Sequence, residues 1–226
     1  MSRTYAQDPT AWSGLRTAAV GDLRLESGRL LPGVVIAYET WGTLDADGGN
    51  AVLVEHALTG DSHVVGEAGP DHPTAGWWQG LIGPGAPLDT DTHFVVATNV
   101  LGGCRGTTGP SSPAPDGRAW GSRFPRISIR DQVRAEALIA DRLGISTWRA
   151  VLGGSMGGMR AAEWAATFPE RVRTAVVIAA TGVASAEQIA WASVQNQAIR
   201  ADPHWVGGDY HGTGVAPTVG MSIARE

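Results

Sequence analysis

The segment Val151–Arg160, VLGGSMGGMR, constrains the fold of this chain more than any other stretch. The run before it, Trp148–Gly154, is near-continuously apolar, the pattern of a strand buried on both faces. The residues after it carry apolar side chains at helical spacing to about Phe168, where Pro169 stops the pattern. A single serine, Ser155, stands between glycines where one pattern gives way to the other. A strand that becomes a helix this abruptly must turn sharply. The residues two before and two after the serine then crowd each other, and Gly153 and Gly157 tolerate the crowding because they have no Cβ. Such a junction belongs to a βαβ unit, so the chain is expected to be α/β.

The remaining pattern agrees. Strand-like runs are Val34–Thr40, Ala51–His56, His93–Val100, Trp148–Gly154 and Thr174–Ala180. A helix is expected from Ile129 to Gly144. Ser128 and Asp131 start it, Val133, Ala137 and Ala140 form its inward stripe, and Gly144 stops it. Pro70–Thr90 is rich in Gly and Pro and reads as a long ordered loop. After Thr181 the character changes to a helix with its own capping box, Ser185 to Gln188, followed by the glycine-rich VGGDYHGTG. The expected organisation is an α/β core over residues 1–182 and the start of a helical cap over 183–226.

Composition removes several alternatives. The 226 residues, 43% of them apolar, suffice for one sizeable domain. The formal net charge of −5 speaks against nucleic acid as the main partner. All 17 basic residues are arginine, so neither Schiff-base chemistry nor a phosphate-loop lysine is available. No run is long enough to span a membrane, and no signal peptide is readable, which points to the cytoplasm. The single cysteine, Cys104, cannot form an internal disulfide.

Gly153–Gly157 matches G-x-S-x-G, and in a strand–turn–helix context this is a nucleophile elbow. The bland reading is a tight turn with a capping serine. Acyl transfer at Ser155 also needs donors for an oxyanion. The candidates are the backbone N–H of Met156 and, from the loop EHALTGDSH after an earlier strand, that of Leu58. The triad partners of this fold follow the serine at the ends of later strands, and only one strand-like run follows here. His204, His211, Asp202 and Asp209 lie in the cap-like segment and suit neither base nor acid. His56 and His63 have no cysteine or carboxylate at zinc spacing, so no metal is expected. Cys104 reads as buried or loop packing, and Trp77, Trp78 and Trp120 as loop anchors or the mouth of a site.

Three stretches in this order, HALTGDSH, NVLGGCRGTTGPSS (Asn99–Ser112) and GGSMGGM, resemble the homoserine O-acetyltransferase family over roughly Ala18 to Arg225. The resemblance implies an α/β-hydrolase fold and an enzyme of methionine biosynthesis that works without a bound cofactor. Acetyl-CoA would acylate Ser155, and L-homoserine would take the acetyl group on its hydroxyl. Arg225 stands where the family binds the homoserine carboxylate. A cytoplasmic homodimer contacting through the cap is also implied, as is a triad Asp and His beyond residue 226, which makes this chain alone an inactive N-terminal portion. A succinyl donor, a serine acceptor, a plain serine hydrolase and a non-catalytic fragment remain alternatives at this point.

Overall fold

A computed structural model describes residues 14–70 and 72–225. Along the chain run strands β1 (Arg16–Arg24), β2 (Leu30–Trp41), β3 (Ala51–Glu55), β4 (Ile82–Gly83), β5 (Leu88–Asp89) and β6 (Phe94–Thr98). Helix α1 (Ile129–Leu143), strand β7 (Ala150–Gly154), helix α2 (Met156–Thr167), strand β8 (Ala175–Ile178) and helices α3 (Ala186–Ala201) and α4 (Thr218–Ile223) complete the order. The main sheet is arranged β1-β2-β6-β3-β7-β8. β6, β3, β7 and β8 are mutually parallel, while β2 joins β6 and β1 joins β2 antiparallel. The expected α/β architecture with a mostly parallel sheet is therefore present.

Each face of the sheet has its own core. On one face, α1 and α2 pack Val133, Ala137, Ala140 and Trp164 against Leu53, Val96 and Val151. Trp148 and Trp164 meet edge to face there, with centroids 6.2 Å apart. On the other face, Val64 and Val65 from the segment after β3, with Leu81 and Ile82 from the long loop, cover Val52, Val54, Val95 and Leu152. That loop holds one small element that its composition concealed, the parallel pairing of β4 with β5. Glycine and proline density masked two-residue strands too short to show a period.

The start of α1 is as expected. Ser128 accepts from the Asp131 N–H, and Asp131 closes the capping box, while Gly144 ends the helix at φ 77°. The second capping box, Ser185 with Gln188, is likewise formed. Three expectations need correction. β1 was not foreseen, and β2 starts at Leu30 rather than Val34. Gly21 (φ 92°) sits at register shifts between β1 and β2, and these bulges break the alternation that would have marked the pair. β8 has the apolar run of a doubly buried strand, yet all four of its residues are exposed. Among the described residues it pairs only with β7, at the edge of the sheet. Helix α4 stops at Ile223, and in the turn after it the Arg225 N–H bonds to the Ser222 carbonyl.

Removing the first cap tests the account of α1. Ser128→Ala leaves the N3 amide unsatisfied and is expected to lower the unfolding free energy by about 1 kcal/mol, read from urea denaturation midpoints at unchanged m.

Candidate active site

Ser155 lies between β7 and α2 with φ 56° and ψ −121°, a left-handed backbone that non-glycine residues adopt only under constraint. It occupies the N-cap position of α2 but makes no side-chain cap hydrogen bond, so the capping reading fails. The residue is exposed. The glycines around it are required by contact. A Cβ on Gly153 would lie 2.6 Å from the Gly157 carbonyl carbon and 2.6 Å from Glu55 Cβ. A Cβ on Gly157 would overlap the Glu55 carbonyl oxygen, and one on Gly158 would lie 2.7 Å from Ala180 Cβ. The turn is thus pressed against the end of β3 on one side and the end of β8 on the other. Met156 opens α2, where first-turn N–H groups have no helical partner and favour negative charge.

The loop after β3 begins at this same sheet edge, because Glu55 pairs in register with Gly153. Ala57 and Gly60 close a turn there (2.9 Å), and Leu58 stands in it, 74% exposed. Beneath the loop, His56 is buried and held in one tautomer. Its Nε2 accepts from the Val100 N–H at 3.1 Å, so Nδ1 carries the proton and donates to the Ala57 carbonyl at 2.7 Å. Burial, and then the nearby Arg160 guanidinium, lower its pKa from 6.5 to about 3. Arg160, on α2, is fully buried beside two glutamates. Its Nη2 donates to the His56 carbonyl (2.7 Å) and its Nη1 to Glu136 Oε1 (2.7 Å). Glu55 Oε2 is also 2.7 Å from Nη1 but off the N–H direction, so that contact is electrostatic rather than a hydrogen bond. Burial pushes the Glu55 carboxyl well above the usual carboxylate range, against the pull of Arg160, and the adjacent Glu136 pushes the same way.

The loop Asn99–Ser112 is braced into this frame. The Asn99 side chain accepts from the Ser62 N–H (2.9 Å) and donates to Ser62 Oγ (3.1 Å) and the Arg105 carbonyl (2.8 Å). Thr107 and Thr108 accept from the Ala37 and Val35 N–H groups of β2 at 2.8 and 2.9 Å. Much of what makes this stretch distinctive is therefore structural. Cys104, expected to pack, is exposed at its tip. Trp77 donates to the Asp61 carbonyl (2.8 Å), and Trp120 packs edge to face on Phe124, so both anchor loops.

His63 does have a carboxylate partner, which its sequence neighbours did not reveal. Glu39 of β2 lies 3.2 Å from His63 Nδ1 and 3.4 Å from His72 Nε2, all three residues being buried. The set has the donor types of a metal site. However, the two imidazoles stack at 3.8 Å with planes only 6° apart. Their lone pairs lie in parallel planes that do not meet at one ion, so the group as arranged does not fit a metal.

The structure brings Ser155, Met156 and the Leu58 loop to one sheet edge. Arg225 is exposed and lines a 340 Å³ groove between α3 and α4 with Trp191, Gln195 and Ile223, a groove that Ser155 does not line. His204 is occupied by Asp202 (3.2 Å) and His211 stacks on Tyr210. Sequence reasoning weighed His56 only as a metal ligand and missed Arg160, Glu55 and Glu136. A buried charge on an otherwise apolar helix face, Arg160 in MGGMRAAEW, was the available signal.

Two measurements test this geometry. Gly157→Ala forces a Cβ into the Glu55 carbonyl and is expected to cost about 3 kcal/mol in unfolding free energy. The neutral His56 gives a pH effect of definite sign. The unfolded chain takes up a proton near 6.5, the fold only near about 3, so stability is lost as pH falls through that window. Between about pH 7 and pH 5, His56→Gln is expected to lose about 2 kcal/mol less than the parent in denaturant titrations.

The matches to known proteins fall on this same frame. Residues 50–220 match the family model described as alpha/beta hydrolase fold. The chain is 66% identical over 204 residues to the homoserine O-acetyltransferase of Thermobifida fusca, covering 90% of this chain and 54% of that protein. It spans about half the length of the curated relatives it matches. Among solved structures, esterase E22 superposes with TM-score 0.86 at 31% identity, covering 95% of this chain and 60% of that one. The homoserine O-acetyltransferase of Bacillus anthracis does so with TM-score 0.84 at 32% identity, covering 93% and 58%. No helix among the described residues is long and apolar enough to cross a membrane. With the parallel sheet, the glycine-flanked serine turn and the matched span in agreement, this chain belongs to the alpha/beta hydrolase fold family.

Proposed function

We propose that the whole protein is a homoserine O-acetyltransferase that works through an acyl-enzyme on Ser155. The observation that carries this reading is the exposed Ser155 at φ 56° on a strand–helix turn. Its relatives' name adds homoserine as the acceptor and acetyl as the group moved, and acetyl-CoA is the donor in this reading. The Ser155 hydroxyl attacks the thioester carbonyl of acetyl-CoA and gives up its proton to a base. The N–H groups of Met156 and Leu58 hold the oxyanion, and the intermediate collapses with loss of the CoA thiolate, which is protonated. The hydroxyl of L-homoserine then attacks the acyl-serine, loses its proton to the same base, and Ser155 is returned. The described histidines after Ser155 are engaged elsewhere. We therefore look for the base and its acid in the half of the relatives' length that this chain does not span. In the same reading, residues up to 182 are the catalytic core, the helices after it are a cap carrying Arg225 toward the acceptor carboxylate, and the protein is a cytoplasmic homodimer.

Hydrolysis is the second reading, favoured by the close superposition on an esterase. Water would then replace homoserine in the second step.

Incubating the full-length protein with acetyl-CoA alone is expected to leave an acetyl group on the peptide containing Ser155, and Ser155→Ala to abolish both the adduct and turnover. An active enzyme with no adduct overturns the covalent route. Release of acetate at the same rate with and without homoserine favours the hydrolase. Arg225→Ala is expected to cost roughly 2–5 kcal/mol in the homoserine half-reaction while Ser155 still acylates. An unchanged KM for homoserine removes Arg225 from the acceptor site.

A further inference from the structure

We infer that Arg160 is a positioning residue that holds the Leu58 loop in register with Ser155 through the His56 carbonyl. Three observations carry this. First, Arg160 lies five residues after Ser155 on the same helix, so its guanidinium is fixed relative to the serine. Second, one fork of donors joins separate segments, the His56 carbonyl at the root of the Leu58 loop and Glu136 on α1, with Glu55 of β3 in electrostatic contact beside it. Third, the far side of the fork is itself immobilised. Glu136 accepts from Trp164 Nε1 at 2.9 Å and from Thr98 Oγ1 at 3.1 Å. A buried ion pair of this kind is a poor means of stabilising a fold, since apolar side chains of equal volume do as well. An apolar side chain cannot grip a carbonyl, however, and an oxyanion donor is effective only where it stands within hydrogen-bond reach of the developing charge. The guanidinium fork therefore suits alignment of the loop better than it suits stability.

The kinetic half of the test rests on the acyl-transfer reading, while the structural half does not. In the full-length protein, Arg160→Met with Glu136→Gln removes the fork together with the carboxylate that accepts from it. Hydrogen–deuterium exchange over residues 56–62 is expected to quicken about tenfold while β7 keeps its protection. Acylation of Ser155 by acetyl-CoA is expected to lose about tenfold or more in kcat, with KM for acetyl-CoA within about twofold. Unchanged exchange in the loop overturns the inference. So does quickened exchange with unchanged kcat, or a change confined to KM. A parent protein that never acylates Ser155 defeats the acyl-transfer reading instead, and the exchange result then decides alone whether Arg160 anchors the loop. Should the double variant fail to fold, Arg160→Lys keeps the buried positive charge but not the fork, and must quicken exchange in the same segment for the inference to stand.

Discussion

The site depends on a steric contact. Gly153 and Gly157 meet across the turn, and the Glu55 backbone fills the space where their side chains would be. This closeness forces Ser155 into its left-handed conformation and lifts it clear of the helix it precedes. It also brings the last residue of β3 against the first turn of α2, so the loop leaving β3 starts beside the serine. The chemistry is thus attached to two adjacent parallel strands, and their order in the sheet determines which loop can serve it.

Charge completes what the steric contact begins. The space behind the turn, between α1, α2 and the strand ends, is filled by a guanidinium and two carboxyl groups as well as by apolar side chains. Burial pushes the Glu55 carboxyl upward, and Glu136 is the carboxyl group that accepts the hydrogen bond from Arg160. His56 gains from the same environment. Next to a buried cation it stays neutral, and neutrality lets one nitrogen accept from Val100 while the other donates to Ala57. Two loops distant in sequence are joined by one ring whose tautomer is fixed by its neighbours.

The legible parts of the fold were those specified by local chemistry. Both capping boxes, the αL stop at Gly144 and the strand–turn–helix around Ser155 each depend on residues a few positions apart, and each was readable. β1 was not, because its bulges interrupt the alternation on which a strand is recognised. The burial of β8 was misjudged, since an apolar run records what a strand is suited to contact rather than what covers it. The site divides the same way. Ser155 and the Met156 N–H follow from one motif. The pairing of His63 with Glu39 spans 24 residues, and that of Arg160 with the His56 carbonyl spans 104, so no spacing rule reaches them. The resemblance of Asn99–Ser112 to a family loop drew attention to the right place for a partly different reason, since Asn99, Thr107 and Thr108 serve the scaffold.

The two margins of the sheet are unlike. At β1 the ribbon is kinked twice about Gly21 and carries arginine at both ends, features that discourage a further strand from docking. At β8 the margin is short, apolar and free of charged residues. The sheet therefore has a polarity, with a terminated side and an extensible one. Any segment that adds to it, from this polypeptide or another molecule, joins beside β8, within a few residues of the turn that carries Ser155.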